Sequence, residues 1–155
     1  MLEETVGKLL MEKQLTIACA ESCTGGLLTS CLTDVEGSSA YVMGSVVSYT
    51  NEVKESLVGV RHETLVAHGA VSESTAREMA EGIRHIIGTD LGVGITGIAG
   101  PGGGTETKPV GLVYIAVAGD KGTTVKKNIF HRSRMENKRS SVEKALEMLH
   151  AYLYQ

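Results

Sequence analysis

From residue 3 to residue 96, apolar residues switch repeatedly between helical and strand spacing. That alternation restricts the fold of this chain more than any other feature. Residues 3–14 carry Val6, Leu9 and Leu10 at helical intervals. Leu15–Ala20 is a short apolar run suited to a buried strand. Glu21–Gly26 turns, and Leu27–Leu32 reads as a helix with Thr24 available as its N-cap. Val42–Tyr49 is the next strand, and Thr50 or Asn51 can cap a helix holding Val53, Leu57 and Val58. A short helix follows over Glu63–His68. Ser72–Ile87 is the clearest helix, with Met79, Ile83 and Ile86 or Ile87 on one face. Leu91–Thr96 is a strand that opens into a Gly/Pro loop. Val110–Ala118 and Thr123–Phe130 read as strands joined at Gly119-Asp120-Lys121-Gly122, a hairpin signal, and Val142–Leu153 closes as a helix. Helix–strand alternation, then a hairpin and a helix, predicts an α/β fold: a three-layer α/β/α sandwich with a mixed sheet. The 155 residues show no repeats or low-complexity linkers, so the expectation is a single domain over 1–155.

With no Trp and one Phe, the core must come from Val, Ile, Leu, Ala and Met. The net charge of −3 argues against a nucleic-acid partner. One basic cluster stands out: Lys126, Lys127, His131, Arg132, Arg134, Lys138 and Arg139. It reads either as a solvated face leading into the last helix or as an anion site for a phosphate. Cys19, Cys23 and Cys31 are odd in number and lack a second Cys/His pair at zinc-ligand spacing. No stretch reads as a signal peptide, and no apolar run approaches the ~20 residues of a membrane span. A cytoplasmic protein with reduced thiols and no membrane partner is expected.

Three segments carry candidate chemistry. Gly37–Lys54 offers Ser39, Tyr49 and Lys54. A serine is a weak nucleophile until a base takes its proton; a desolvated lysine can be that base, with a tyrosine to relay or position. The spacing poses a geometric problem, because residues 39–49 as one straight strand would hold Ser39 and Tyr49 ~30 Å apart. Sharing one site requires a helical turn over Ser38–Met43 and a reversal near Gly44, or a meeting across subunits. Glu21–Gly26 lies between a strand and a helix, where Ser22, Thr24 and Gly25 can meet an anion or carbonyl oxygen. Cys23 there is an alternative low-pKa nucleophile, though no histidine shows a signature of pairing with it; Cys19 and Cys31 read as buried inert thiols. The loop Gly97–Gly111 leaves the carboxyl end of a buried strand, and its backbone N–H groups can hold a phosphate or form an oxyanion hole. Gly92-Val-Gly-Ile-Thr-Gly97 has the letters of a dinucleotide fingerprint, but its glycines fall inside the strand. They read as close packing of a helix over it.

The blocks Ala20-Glu-Ser-Cys-Thr-Gly-Gly26, Gly37-Ser-Ser-Ala-Tyr41, Val47-Ser-Tyr-Thr-Asn-Glu-Val-Lys54, His68-Gly-Ala-Val-Ser-Glu73 and Gly97-Ile-Ala-Gly-Pro-Gly-Gly-Gly-Thr-Glu-Thr-Lys-Pro-Val-Gly111 resemble the CinA C-terminal domain family, in its order, from about residue 5 to 150. Larger members carry a further N-terminal domain, and this chain resembles the stand-alone form. The resemblance implies an anticodon-binding-domain-like α/β/α fold and, for enzymatic members, nicotinamide-nucleotide amidohydrolase activity. It implies a catalytic set of Ser39, Tyr49 and Lys54, with Ser22 as a second serine in the site. Arg134 fits the arginine of a family Gly-Asp/Asn-Arg turn, although Arg132-Ser133 departs from the two residues before it.

The expectation is hydrolysis of nicotinamide mononucleotide to nicotinate mononucleotide and ammonia, with Ser39 attacking and Ser22 the alternative nucleophile, Lys54 as base and Tyr49 relaying the proton or orienting. Ser22, Thr24, Gly25, Thr96, Gly97, Gly100 and Arg134 are the candidate substrate contacts. No metal or organic cofactor is called for, and a homo-oligomer, dimer or higher, is expected. The alternatives are an amidohydrolase for another small carboxamide and a non-catalytic nucleotide-binding or regulatory module.

Overall fold

The strand sequences explain the layering. Ile17-Ala-Cys-Ala20, Leu91-Gly-Val-Gly-Ile95 and Ile115-Ala-Val-Ala118 alternate large with small side chains. A sheet built from them is bulky on one face and nearly smooth on the other. A computed structural model, describing residues 1–155, has this arrangement. Its sheet contains β1 (Ile17–Glu21), β2 (Val42–Val47), β3 (Leu91–Gly97), β4 (Leu112–Gly119) and β5 (Gly122–Ile129), in the order β2-β1-β3-β4-β5. β1 pairs in parallel with β2 and β3, while β4 is antiparallel to β3 and β5. The sheet is therefore mixed, as the alternation predicts.

Helices α1 (Leu2–Lys13), α2 (Leu27–Thr33) and α6 (Arg134–Leu153) cover the bulky face. There Cys19, Val93, Ile95 and Ile115 pack with Val6, Leu10, Leu28 and Leu149. Each such buried aliphatic side chain contributes about 1.5–3 kcal/mol. The smooth face carries α5 (Glu73–Ile87), flanked by α3 (Asn51–Val58) and α4 (His62–His68). Ala76 and Ala80 of α5 meet Ala116 and Ala118. A Cβ on Gly92 would overlap the Ala80 carbonyl, and one on Gly94 would overlap the Ala76 carbonyl. These glycines let α5 rest on β3, which accounts for the glycine pattern without a dinucleotide. No helix in the chain is long and apolar enough to cross a membrane.

Two boundaries depart from the expected ones. Thr24 does not cap α2; its hydroxyl donates to Glu21 Oε1 at 2.6 Å. The buried Glu21 carboxyl instead accepts the backbone N–H groups of Leu28 and Thr29, both at 2.9 Å, so an acidic side chain from β1 satisfies the positive end of α2. Helix α6 starts at Arg134, eight residues before the expected Val142. Ser133 accepts from the N–H of Glu136 and donates to its carboxylate at 2.8 Å, a reciprocal cap.

The registers Glu21↔Val47, Glu21↔Ile95, Gly97↔Val113 and Leu112↔Ile129 bring one set of strand ends to one edge of the sheet. The β1–α2 turn, the β2–α3 junction, the β3–β4 loop and the start of α6 all gather there, where open parallel sheets bind ligands.

Candidate active site

The segments meeting at that edge enclose a cleft of about 270 Å³. Its centre is Lys54, on the first turn of α3, which Thr50 caps by accepting from the N–H of Val53. Lys54 is 1% exposed. Its Nζ lies 3.1 Å from Ser22 Oγ, 2.7 Å from the Ser48 carbonyl and 3.3 Å from the Tyr49 carbonyl. No carboxylate forms an ion pair with it. Burial therefore pushes the amine below its ordinary pKa, with the neighbouring Cys23 acting weakly in the opposite sense.

The partners fix how the amine is oriented once it is deprotonated. Carbonyl oxygens only accept, so the two N–H bonds of the free amine point at Ser48 and Tyr49. The lone pair is left facing the Ser22 hydroxyl. Ser22 is itself held at the end of β1, where its N–H donates to the Ile95 carbonyl at 3.0 Å. A buried hydroxyl beside a desolvated amine is the arrangement of an activated serine nucleophile.

Ala99, Gly100, Gly102 and Gly103 line the same cleft, and their backbone amides donate to no acceptor within the chain. The loop that presents them is tied down at its far end, where Lys108 Nζ donates to the His68 carbonyl and the Thr105 N–H to the Lys108 carbonyl at 2.7 Å. Arg134 reaches over the loop, donating from Nη1 to the Gly100 carbonyl at 2.7 Å, and its Nη2 lies 3.4 Å from the Tyr49 hydroxyl.

Not every expected residue arrives here. Ser22, Tyr49, Lys54, Thr96, Gly97, Gly100 and Arg134 line the cleft. Ser39 does not. It sits exposed in a 3-10 turn, Ser38–Ala40, ahead of β2. β2 then runs straight through Gly44 with no reversal, so about 20 Å of strand separates Ser39 from the edge that holds Lys54. The chain brings Lys54 to Ser22 instead. Tyr49 is 59% exposed and its hydroxyl meets Arg134 rather than Lys54. Thr24 is turned away onto Glu21, and Gly25 lies outside the lining, beneath Lys138. Thr96 is spent on structure, donating to the Ala70 carbonyl at 2.7 Å.

Cys23 also lines the cleft, but burial lifts its thiol to about 12, so it does not carry a low-pKa nucleophile. Burial likewise holds the Cys19 thiol high, and Cys31, only partly buried, shifts in the same direction. Ala70 and Val71 line the cleft without having been anticipated. The only sequence signal for them is the His68–Glu73 block. No group of three or more His, Cys, Asp or Glu side chains is placed to hold a metal ion. A larger hollow of about 410 Å³, lined by Leu27, Cys31, Val142 and Leu146 among others, contains no pairing of a hydroxyl with a buried amine.

Residues 1–153 match the CinA C-terminal domain. The chain belongs to the CinA C-terminal domain family. It is 51% identical over 157 residues, 98% of this chain, to a CinA-like protein of Chloroherpeton thalassium, of which it covers 37%. It spans little more than a third of the length of the curated CinA relatives it matches. The competence/damage inducible protein CihA of Agrobacterium tumefaciens has a crystal structure that superposes with a TM-score of 0.92 at 40% identity. That match covers 100% of this chain and 97% of that one. The competence damage-inducible protein A of Klebsiella pneumoniae superposes at 0.96 with 33% identity, covering 99% and 96%. The three-layer fold is thus that of the CinA superfamily.

Proposed function

We propose that this CinA domain is a serine amidohydrolase that converts nicotinamide mononucleotide to nicotinate mononucleotide and ammonia, with Ser22 as nucleophile and Lys54 as base. The observation that carries the reaction class is the 3.1 Å contact between Lys54 Nζ and Ser22 Oγ in a site that strips the amine of water and of counter-charge. The substrate follows from the family resemblance, and the reading replaces Ser39 by Ser22 as the attacking serine.

Neutral Lys54 takes the Ser22 proton as Oγ attacks the carboxamide carbon. The oxyanion that forms is met by free backbone amides of the Ala99–Gly103 loop. Such preorganised donors are worth about 10²–10³ in rate for each one removed. The Lys54 ammonium passes its proton to the departing nitrogen, the C–N bond breaks, and ammonia leaves an acyl-Ser22 ester. Water, deprotonated by Lys54, then attacks the ester carbon. The carboxylate product departs and Ser22 regains its proton. Tyr49 and Arg134 wall the outer side of the cleft, where they can orient the pyridine nucleotide.

The test is ammonia release from nicotinamide mononucleotide by wild type, Ser22→Ala and Ser39→Ala. Loss in Ser22→Ala with turnover retained in Ser39→Ala is the expected result. Loss in Ser39→Ala alone would return the nucleophile to Ser39, acting from a second chain. No release by folded wild type, with release from another small carboxamide, would keep the reaction class and discard the substrate.

A further inference from the structure

The two edges of the sheet are built differently. β5, at one edge, carries the exposed Lys126 and Lys127. Lysines on an edge strand keep other strands from pairing with it. β2, at the other edge, has no such protection. Residues 42–50, Val-Met-Gly-Ser-Val-Val-Ser-Tyr-Thr, contain neither a charge nor a proline. Met43 is 46% and Val47 47% exposed. The exposed Ile86 and Ile87, at the end of α5, extend this apolar surface, with Ile87 Cδ1 3.5 Å from where a Gly44 side chain would begin.

The backbone of β2 has donors and acceptors to spare. The Ser48 N–H donates to the Glu21 carbonyl at 2.8 Å, and the register with β1 is regular from Gly44 to Val47. Backbone groups of successive residues point to opposite sides of a strand, so Gly44 and Val46 also face β1. The N–H and C=O groups of Ser45 and Val47 therefore point out of the sheet, where no strand of this chain takes them up.

A strand able to take them up must be extended, uncharged and apolar at its exposed positions. β2 of a second copy of this chain meets those terms, and a two-fold axis makes the strand its own complement. With the axis at Val46 and the strands antiparallel, Ser45 lies opposite Val47 of the partner subunit, and two N–H···O=C bonds close on each side of the axis. Val46 faces its own copy, and the Val47 and Ile87 side chains border the seam from both subunits. Like charges do not meet across it, because the strand has none.

We propose that β2 is a homodimer interface, through which two copies pair antiparallel about a two-fold axis and join their five-stranded sheets into one. Antiparallel pairing also carries the Ser38–Ala40 turn of the partner subunit to the Tyr49 end of β2, beside the cleft. The interface stands whether or not the cleft is an amidohydrolase.

Sedimentation equilibrium and cysteine cross-linking test the pairing on the full chain. Wild type is expected to be a dimer at micromolar concentration. Val47→Lys sets two ammonium groups at diagonal positions across the seam, and it is expected to weaken the dimer about 100-fold while the fold, read by circular dichroism, is kept. At the axis the two Val46 Cα atoms would lie ~4.5 Å apart, within the span of a disulfide. Val46→Cys is thus expected to give a covalent dimer when oxidised with diamide, and Thr124→Cys, on the lysine-bearing edge, is not.

Wild type that stays monomeric at ~100 µM overturns the proposal. So does a dimer that Val47→Lys leaves intact and Val46→Cys fails to cross-link, since its interface then lies elsewhere. If Val47→Lys does not fold, cross-linking decides: a covalent dimer from Val46→Cys alone sustains the pairing, and equal yields from Val46→Cys and Thr124→Cys overturn it.

Discussion

Replacing Lys54 by methionine separates its chemical from its structural role. The methionine stem fills nearly the same volume but removes the amine that faces Ser22. Loss of a positioned general base lowers turnover about 10²- to 10⁴-fold, equivalent to about 3–5 kcal/mol in the barrier. Stability should move much less. The carbonyls of Ser48 and Tyr49 lose their donor, at about 1–3 kcal/mol for a buried group left unsatisfied. Replacing a buried amine by an apolar thioether of similar volume returns the cost of holding that polar group away from water. The two effects offset to within about 2 kcal/mol, which is within about 8 °C in Tm for a chain of this size. The assays are ammonia release and thermal unfolding on the same preparation. Because burial lowers the lysine pKa, wild-type kcat/KM should rise with pH through an ionisation below the ordinary 10.5, and Lys54→Met should lack that limb. A folded Lys54→Met enzyme within tenfold of wild type, or one with the same pH profile, would refute the base assignment.

The depressed Lys54 pKa also fixes a sign for stability. Between its folded value and 10.5 the unfolded chain binds the extra proton, so the Lys54 contribution to stability increases as pH rises across that window; Lys54→Met should flatten this part of the wild-type curve in denaturant titrations. Gly94→Ala should destabilise by about 1–3 kcal/mol or more, because the new methyl meets the Ala76 carbonyl of α5; unaltered chemical denaturation would contradict the close packing described. Ser133→Ala removes the α6 cap and should lower stability by about 1 kcal/mol. It should also weaken substrate binding by loosening the helix that carries Arg134, measurable as a raised KM.

Much of the fold was legible because burial writes itself into spacing. The strands at Ile17, Leu91 and Leu112 stand out as short apolar runs, and α5 shows its apolar stripe in Met79 and Ile83, so their existence and type followed from local pattern alone. The first two turns of α6 were missed because they lie largely exposed at the sheet edge and carry no apolar period. Only the Ser133–Glu136 capping pair marked them. The α2 N-terminus was misread for a different reason: the group that satisfies it, Glu21, comes from a strand seven residues before the first amide it accepts, and Thr24 was the nearer local candidate. Chain proximity misled in the same way at the site, where Ser39 is the closer serine in sequence and Ser22 the closer one in space.

The sequence by itself determined the α/β class, the glycine-lined approach of α5 to β3 and the five blocks that mark the CinA family, since each is a local pattern of size, spacing or residue type. Tertiary structure alone decided which serine meets Lys54 and that Arg134, of a scattered basic run, borders the cleft. Parallel pairing of β1 with β2 sets Glu21 opposite Val47, and so brings Ser22 beside the Ser48–Lys54 segment while carrying Ser39 to the opposite end of the strand. That pairing joins Glu21 to a residue far along the chain and brings Ser22 to Lys54, 32 positions away, and no periodicity within either segment encodes that register.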